Sequence, residues 1–207
     1  MYNKLMNKGF LLLTSTGLTS PHIYEKFRSI VANPKNQPVA IITTAAEGKE
    51  NNKYSQLAKK QFESFGFVSV DFIDLETQPE KDLSSYGIIY VCGGNTFKLL
   101  KFARKANFKL SIEKLLERNG IYIGVSAGSI IVSPSINIAN EVKPDPNDIG
   151  LEDLTGFNIT NLIILPHYSP EMETETANFE KKYGVIVERL NNSHAILIDN
   201  GEKTLVE

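Results

Sequence analysis

The stretch that most constrains this chain is Ile121-Tyr122-Ile123-Gly124-Val125-Ser126-Ala127-Gly128-Ser129-Ile130-Ile131, an apolar β-branched run, a G-x-S-x-G segment and a second apolar run. The first run has the length and composition of a strand buried on both faces. Small residues around Ser126 let the chain reverse sharply into a helix, which leaves the serine hydroxyl projecting alone at the carboxyl edge of a sheet. That position suits a nucleophile. The same glycines would also serve close helix–sheet packing with no chemistry attached.

Strand and helix alternate along most of the remaining chain. Phe10 to Thr14, Val39 to Thr43, Val68 to Ile73 and Ile88 to Cys92 are short apolar runs, predicted as buried strands. A helix is predicted from Ser20-Pro21, an N-cap and first helical position, to about Val31. Another runs from about Asn52 to Phe65, with Tyr54, Leu57, Ala58, Gln61, Phe62 and Phe65 on one face. A third covers about Ser111 to Glu117. Between strand and helix, Gly93-Gly94-Asn95-Thr96 forms a turn whose backbone N–H groups can point outward.

Beyond the Ser126 turn the pattern loosens. The proline-bearing segment from Asn140 to Asp153 is predicted as a long irregular connection, a kind that is usually functional or mobile. Leu162 to Leu165 is a predicted strand ending in Pro166-His167, and Ser169-Pro170-Glu171 opens a helix to about Tyr183. Val185 to Arg189, Ala195 to Ile198 and Thr204 to Val206 are predicted closing strands, joined by Asn191-Asn192 and Asn200-Gly201 turns. The alternation predicts an α/β fold: a single domain over residues 1–207, with a mostly parallel sheet, helices on both faces, and the Ser126 turn at the carboxyl edge.

Composition narrows the function. A chain of 207 residues is long enough for one well-buried α/β domain. Its 22 basic and 24 acidic residues form no basic cluster, which argues against a nucleic-acid partner. The single cysteine, Cys92, leaves no internal disulfide framework or multi-cysteine metal site, and fits a reducing compartment. Lys4 and Lys8 ahead of Phe10-Leu11-Leu12-Leu13 imitate the start of a signal peptide, but the apolar run stops at Thr14. No segment has the apolar length of a membrane span. A cytoplasmic protein with no membrane partner is expected, of an oligomeric state that the sequence does not set.

Reacting groups in such sheets gather beyond the carboxyl ends of the strands. Thr14 to Thr16, Gly93 to Thr96, Ser126 and His167 all fall there. Serine is a weak nucleophile at neutral pH and needs a base to take its proton, a role suited to histidine. His167 is the expected base. His22 is the rival, disfavoured because an imidazolium in a helix's first turn opposes the helix dipole; His194, beside a turn, is expected at the surface. For the carboxylate that orients the histidine, Glu141 is best placed, with Asp145 and Asp148 in the same segment as alternatives. The backbone N–H groups of Ala127 and of the Gly93-Gly94 turn are the expected oxyanion donors. Cys92 closes a buried strand and is expected to be a core residue. No metal or cofactor is expected, since Pro170 and a helix start separate His167 from Glu171.

These residues resemble the dipeptidase E and cyanophycinase group of serine peptidases, whose fold is similar to class I glutamine amidotransferases. The resemblance rests on Val91-Cys92-Gly93-Gly94-Asn95-Thr96-Phe97, Gly124-Val125-Ser126-Ala127-Gly128 and the strand ending in Pro166-His167. It implies Ser126 as nucleophile, His167 as base, and Gly94 with Ala127 as the oxyanion hole. Glu141 sits at the spacing after the serine where dipeptidase E has an aspartate as its third catalytic residue.

The expected function is therefore a serine peptidase acting on short peptides through an acyl-enzyme, with a Ser126-His167-Glu141 triad. An esterase with the same chemistry and a non-catalytic module holding a small anion at helix N-termini are the alternatives. An N-terminal aspartate on the substrate would call for a facing cation, and the one cationic side chain between Ser126 and His167 is Lys143, so aspartyl specificity is not expected.

Overall fold

Residues two apart along the central strands face the same side of the sheet, and that alternation sorts the core into two layers. In the computed structural model, which describes residues 9–207, strand β1 (Phe10–Thr14) sends Leu11 and Leu13 into one cluster and Leu12 into the other. Strand β2 (Val39–Ile42) divides Ala40 and Ile42 from Val39 and Ile41 in the same way. All of these side chains are buried, as a sheet covered on both faces requires. Lys4 and Lys8 lie outside the described residues.

The sheet has seven strands in the order β3 (Val70–Ile73), β2, β4 (Ile88–Val91), β5 (Ile121–Val125), β1, β8 (Ala195–Asp199) and β9 (Glu202–Val206). The first five run parallel, β8 pairs antiparallel with β1, and β9 pairs antiparallel with β8. Helices α1 (Pro21–Ile30) and α2 (Lys53–Ser64) close one face, where Phe27, Phe62 and Phe67 pack together. On the other face the core is built with α3 (Thr96–Lys105), α4 (Phe108–Glu117), the single turns α5 (Ala127–Ile130) and α6 (Ile138–Glu141), and α7 (Glu173–Tyr183). No helix among the described residues is long and apolar enough to cross a membrane.

Several expectations need adjustment. The strand after the irregular segment, β6 (Ile163–Pro166), does not join the main sheet; it pairs in parallel with β7 (Val187–Leu190) in a sheet of two strands. Tyr54 and Leu57 are not on the buried face of α2, being 66% and 43% exposed, because Ser55, Ala58 and Phe62 take that face. Val68, 76% exposed, lies ahead of β3 rather than in it. The Asn140–Asp153 connection is tied down: Asp145 accepts a hydrogen bond from the Thr96 N–H (2.8 Å), and the Asn95 amide donates to the Pro146 carbonyl (2.6 Å).

Candidate active site

The five parallel strands present their carboxyl ends on one edge, and the turn from β5 to α5 on that edge holds Ser126. Its backbone angles, φ 50° and ψ −108°, lie where a residue with a side chain is strained. Such strain costs about 1–3 kcal/mol, comparable to what burying one large aliphatic side chain contributes, so the surrounding structure must hold it. The Ser126 N–H donates to the Thr14 carbonyl (2.9 Å), and the Ser126 carbonyl accepts from Ser129 (2.8 Å) and Ile130 (3.1 Å) at the start of α5. The buried Ser129 hydroxyl accepts from the Thr14 N–H (2.9 Å) and faces the Thr14 and Gly124 carbonyls at 2.8 and 2.9 Å. The packing role of the glycines is also real, since a Cβ on Gly124 would come within 2.7 Å of the Gly128 backbone.

The glycine turn after β4 lies against this serine. A Cβ on Gly93 would sit 3.1 Å from the Ser126 Cβ and 3.9 Å from its Oγ. Gly94 has φ +137°, and a Cβ there would fall 2.0 Å from the Ala45 carbonyl oxygen, so no other residue fits. Asn95 caps α3 by accepting from the Lys98 N–H (2.8 Å). Among the described residues, neither the Gly94 nor the Ala127 N–H is spent on a protein acceptor.

His167 follows β6 with φ +56°. Its backbone N–H donates to the Ser15 hydroxyl (3.0 Å), and its ring Nδ1 lies 2.7 Å from the Asn192 side-chain oxygen. Because an amide oxygen only accepts, Nδ1 carries the proton and Nε2 is left with a lone pair. The imidazole is held below its usual value of 6.5, chiefly by burial; the charge of Lys143 pushes the same way and the Asn192 hydrogen bond opposes both.

Ser126, His167, Asn192, Gly93 and Gly94 line one cavity of about 680 Å³, with Tyr54, Leu57, Tyr90 and Val125 as its larger apolar walls. That is within the ~300–1,000 Å³ range of small-ligand clefts. Among the described residues that line it, the one carboxylate is Glu47 and none is a lysine or arginine. Lys143 borders a separate recess of about 30 Å³ that also reaches Ser126, together with Asp145 and Pro166.

Glu141 is not where the spacing suggested. The single turn α6 aims its carboxylate at α7, where it takes hydrogen bonds from Lys182 (2.8 and 2.9 Å) and from the Tyr183 hydroxyl. Those two groups hold its carboxyl below the usual range. The expected Glu141–His167 hydrogen bond is not formed, and Asn192 occupies the place beside Nδ1. Asp145 is taken up in capping α3 and Asp148 is exposed. Asn192 was missed because an Asn-Asn pair between two predicted strands looks like turn chemistry; only the parallel β6–β7 pairing brings it next to His167. His22 is exposed on α1, and His194 lies beside Asn191 (3.1 Å), away from the cavity lining. Cys92 touches the cavity, but burial pushes its thiol up to about 11, so little thiolate forms at neutral pH.

Similarity to known proteins follows the same lines. An uncharacterized peptidase of Pasteurella multocida is 27% identical over 88% of this chain and 91% of its own length. Peptidase E of Escherichia coli is 34% identical over 49% of this chain and 43% of its own. A crystal structure from Listeria monocytogenes EGD-e, provisionally described as peptidase E, superposes with a TM-score of 0.77 at 26% identity, covering 95% of this chain and 97% of that one. A peptidase from an acI-B1 Actinobacterium shares the fold at a TM-score of 0.66 and 18% identity, over 96% of this chain and 87% of that one. The model of peptidase family S51 matches residues 11–207. The chain belongs to peptidase family S51, a family of serine peptidases.

Proposed function

We propose that this peptidase hydrolyses short peptides by acyl transfer, with Ser126 as nucleophile, His167 as base, Asn192 orienting the base, and the Gly94 and Ala127 N–H groups as oxyanion donors. The observation that carries the reading is a strained serine, its hydroxyl without a protein partner among the described residues, sharing one cavity with a histidine whose Nδ1 is engaged by Asn192 and whose Nε2 is not. His167 Nε2 takes the hydroxyl proton as Ser126 Oγ attacks the scissile carbonyl. The oxygen of the tetrahedral intermediate is met by donors already oriented and unspent. The imidazolium then gives its proton to the leaving amine, and a water molecule repeats the sequence to release the acyl group. Asn192 fixes the tautomer that this needs, but as a neutral amide it stabilises the imidazolium less than a carboxylate would.

The test is labelling of the intact protein by a fluorophosphonate, followed by turnover of matched peptide and ester substrates. Modification at Ser126 with preferred turnover of peptides supports the reading. A protein that is never labelled is a binding module, and one that turns over esters alone is an esterase.

Two further outcomes follow from the charges around the cavity. Burying a substrate carboxylate without a partner costs several kcal/mol, and among the described residues the acidic or basic side chain lining the main cavity is Glu47, of the wrong sign. Dipeptides that differ only in Asp or Asn at the first position should therefore differ in kcat/KM by less than about tenfold. A hundredfold preference for Asp, about 2.7 kcal/mol, that disappears in Lys143→Met would instead seat the acidic side chain at Lys143. The second outcome concerns pH. Since His167 is depressed and must be neutral to act, the acid limb of kcat/KM should fall below pH 6.5. Removing the nearby cation makes protonation easier, so Lys143→Met should move that limb to higher pH; a fall or no movement would contradict the placement of Lys143 beside the base.

A further inference from the structure

Three consecutive residues at the end of β1 each hold a different member of the proposed triad. The Thr14 carbonyl accepts from the Ser126 N–H (2.9 Å). The Ser15 hydroxyl accepts from the His167 N–H (3.0 Å) while donating to the Leu190 carbonyl (2.9 Å), which also accepts from the Tyr168 N–H (2.9 Å). The Thr16 hydroxyl donates to the Asn192 carbonyl (2.8 Å) and lies 2.7 Å from the Thr19 hydroxyl. The Ser15–His167 and Thr16–Asn192 contacts join residues 152 and 176 positions apart in the chain. Nothing local would bring these segments together.

From this we propose that Thr14-Ser15-Thr16 is a positioning strip, which sets nucleophile, base and the base's partner in register along one short piece of chain. Three residues reach at most about 10 Å, the span over which a hydroxyl, an imidazole and its orienting group stand in series. The strip is itself fixed: the Thr14 hydroxyl donates to the Gly124 carbonyl (2.9 Å) and accepts from the Gly17 N–H (2.9 Å), and Ser15 is 1% exposed. Its hydroxyls fit their roles by chemistry. Ser15 must accept and donate at once to join β6 to the end of β7, which a hydroxyl does and an aliphatic side chain cannot. Thr16 reaches the backbone of Asn192, so its donor governs where the amide oxygen meets Nδ1 rather than meeting the imidazole itself. Displacement of a reacting group by about 1 Å can cost about a hundredfold in rate, so losing one such tether carries a kinetic penalty without removing a reacting atom.

The proposal rests on the reading of Ser126 and His167 given above, and the experiment separates the two. Thr16→Val keeps the branched shape and removes the donor; Thr16→Ser keeps the donor. The expected result is a fall of about tenfold in kcat and in the rate of Ser126 labelling by a fluorophosphonate for Thr16→Val, with KM within about twofold. Thr16→Ser should restore most of the rate. Because Thr16 acts through Asn192, the loss should shrink to less than about twofold when Thr16→Val is made in an Asn192→Ala background, the sign of coupled sites. Ser15→Ala should show the same kcat-selective loss wherever it folds. If the wild-type protein is not labelled, the reading of Ser126 fails and takes this proposal with it. If the wild type is labelled and Thr16→Val is labelled equally fast, or raises KM alone, or costs as much with Asn192 already removed, the strip has no positioning role and the proposal is overturned.

Discussion

Ser126→Ala is expected to lower kcat/KM for peptide hydrolysis by about 10⁴-fold or more, the scale on which removal of a serine nucleophile is felt when oxyanion donors and substrate binding remain. Loss of folding would be the competing explanation, and the backbone at Ser126 keeps the two apart. Alanine retains the Cβ, and so retains the strain already present at φ 50°, while the serine hydroxyl has no protein partner among the described residues whose loss would be felt. The melting temperature should accordingly move by no more than a few degrees, because a change of about 1 kcal/mol shifts Tm by only about 2–4 °C in a domain of this size. Ser129, three positions on, is the internal control, since its hydroxyl is buried and taken up by Thr14 and Gly124. Near wild-type turnover in a folded Ser126→Ala protein would remove Ser126 from the mechanism.

Features that depend on local chemistry were legible in the sequence. An apolar run ending in G-x-S-x-G can hardly be placed otherwise than at a strand's carboxyl end, and Gly94 needs both a positive φ and the absence of a Cβ, which only glycine supplies. Short continuous apolar runs revealed β1, β2, β4 and β5 to within a residue or two. Features that depend on which distant segments meet were not legible. The resemblance to dipeptidase E pointed to Glu141, but α6 is a single turn and directs its last residue toward Lys182 on α7. Nothing in the local sequence of residues 185–192 says that their strand pairs with β6 instead of extending the main sheet. Without that pairing Asn192 is a turn residue; with it, the amide stands against the His167 ring. Tyr54 and Leu57 show the same limit from another side: their helical spacing suits a buried face, yet they wall the cavity.

Asn192 yields the second large effect, and in two directions. Asn192→Ala removes the acceptor at Nδ1, frees the ring to rotate and lets the other tautomer form. A loss of about a hundredfold in kcat is expected, about 2.7 kcal/mol, smaller than for Ser126 because no reacting atom disappears. Asn192→Asp keeps the acceptor and adds a charge. In serine proteases the reverse change, aspartate to asparagine, costs about 10⁴-fold, largely through a wrong tautomer; here the asparagine already accepts at Nδ1, so only the charge remains to be gained. A hydrogen bond to a charged group contributes about 1.5–3 kcal/mol against about 0.5–1.5 for a neutral one. The difference, roughly 1.2 kcal/mol, corresponds to nearly tenfold in rate. Asn192→Asp should therefore turn over peptides about tenfold faster than wild type at neutral pH. Its acid limb should move to higher pH, because a carboxylate favours the imidazolium and offsets the burial and the Lys143 charge that now hold His167 down. Glu141→Gln, tested beside these, should stay within about twofold of wild type, since it loosens an ion pair with Lys182 near the surface and leaves an amide oxygen to accept from Tyr183. A crippled Glu141→Gln together with an unaffected Asn192→Ala would mean that the third role passes to Glu141 during turnover, by a movement of α6 away from α7.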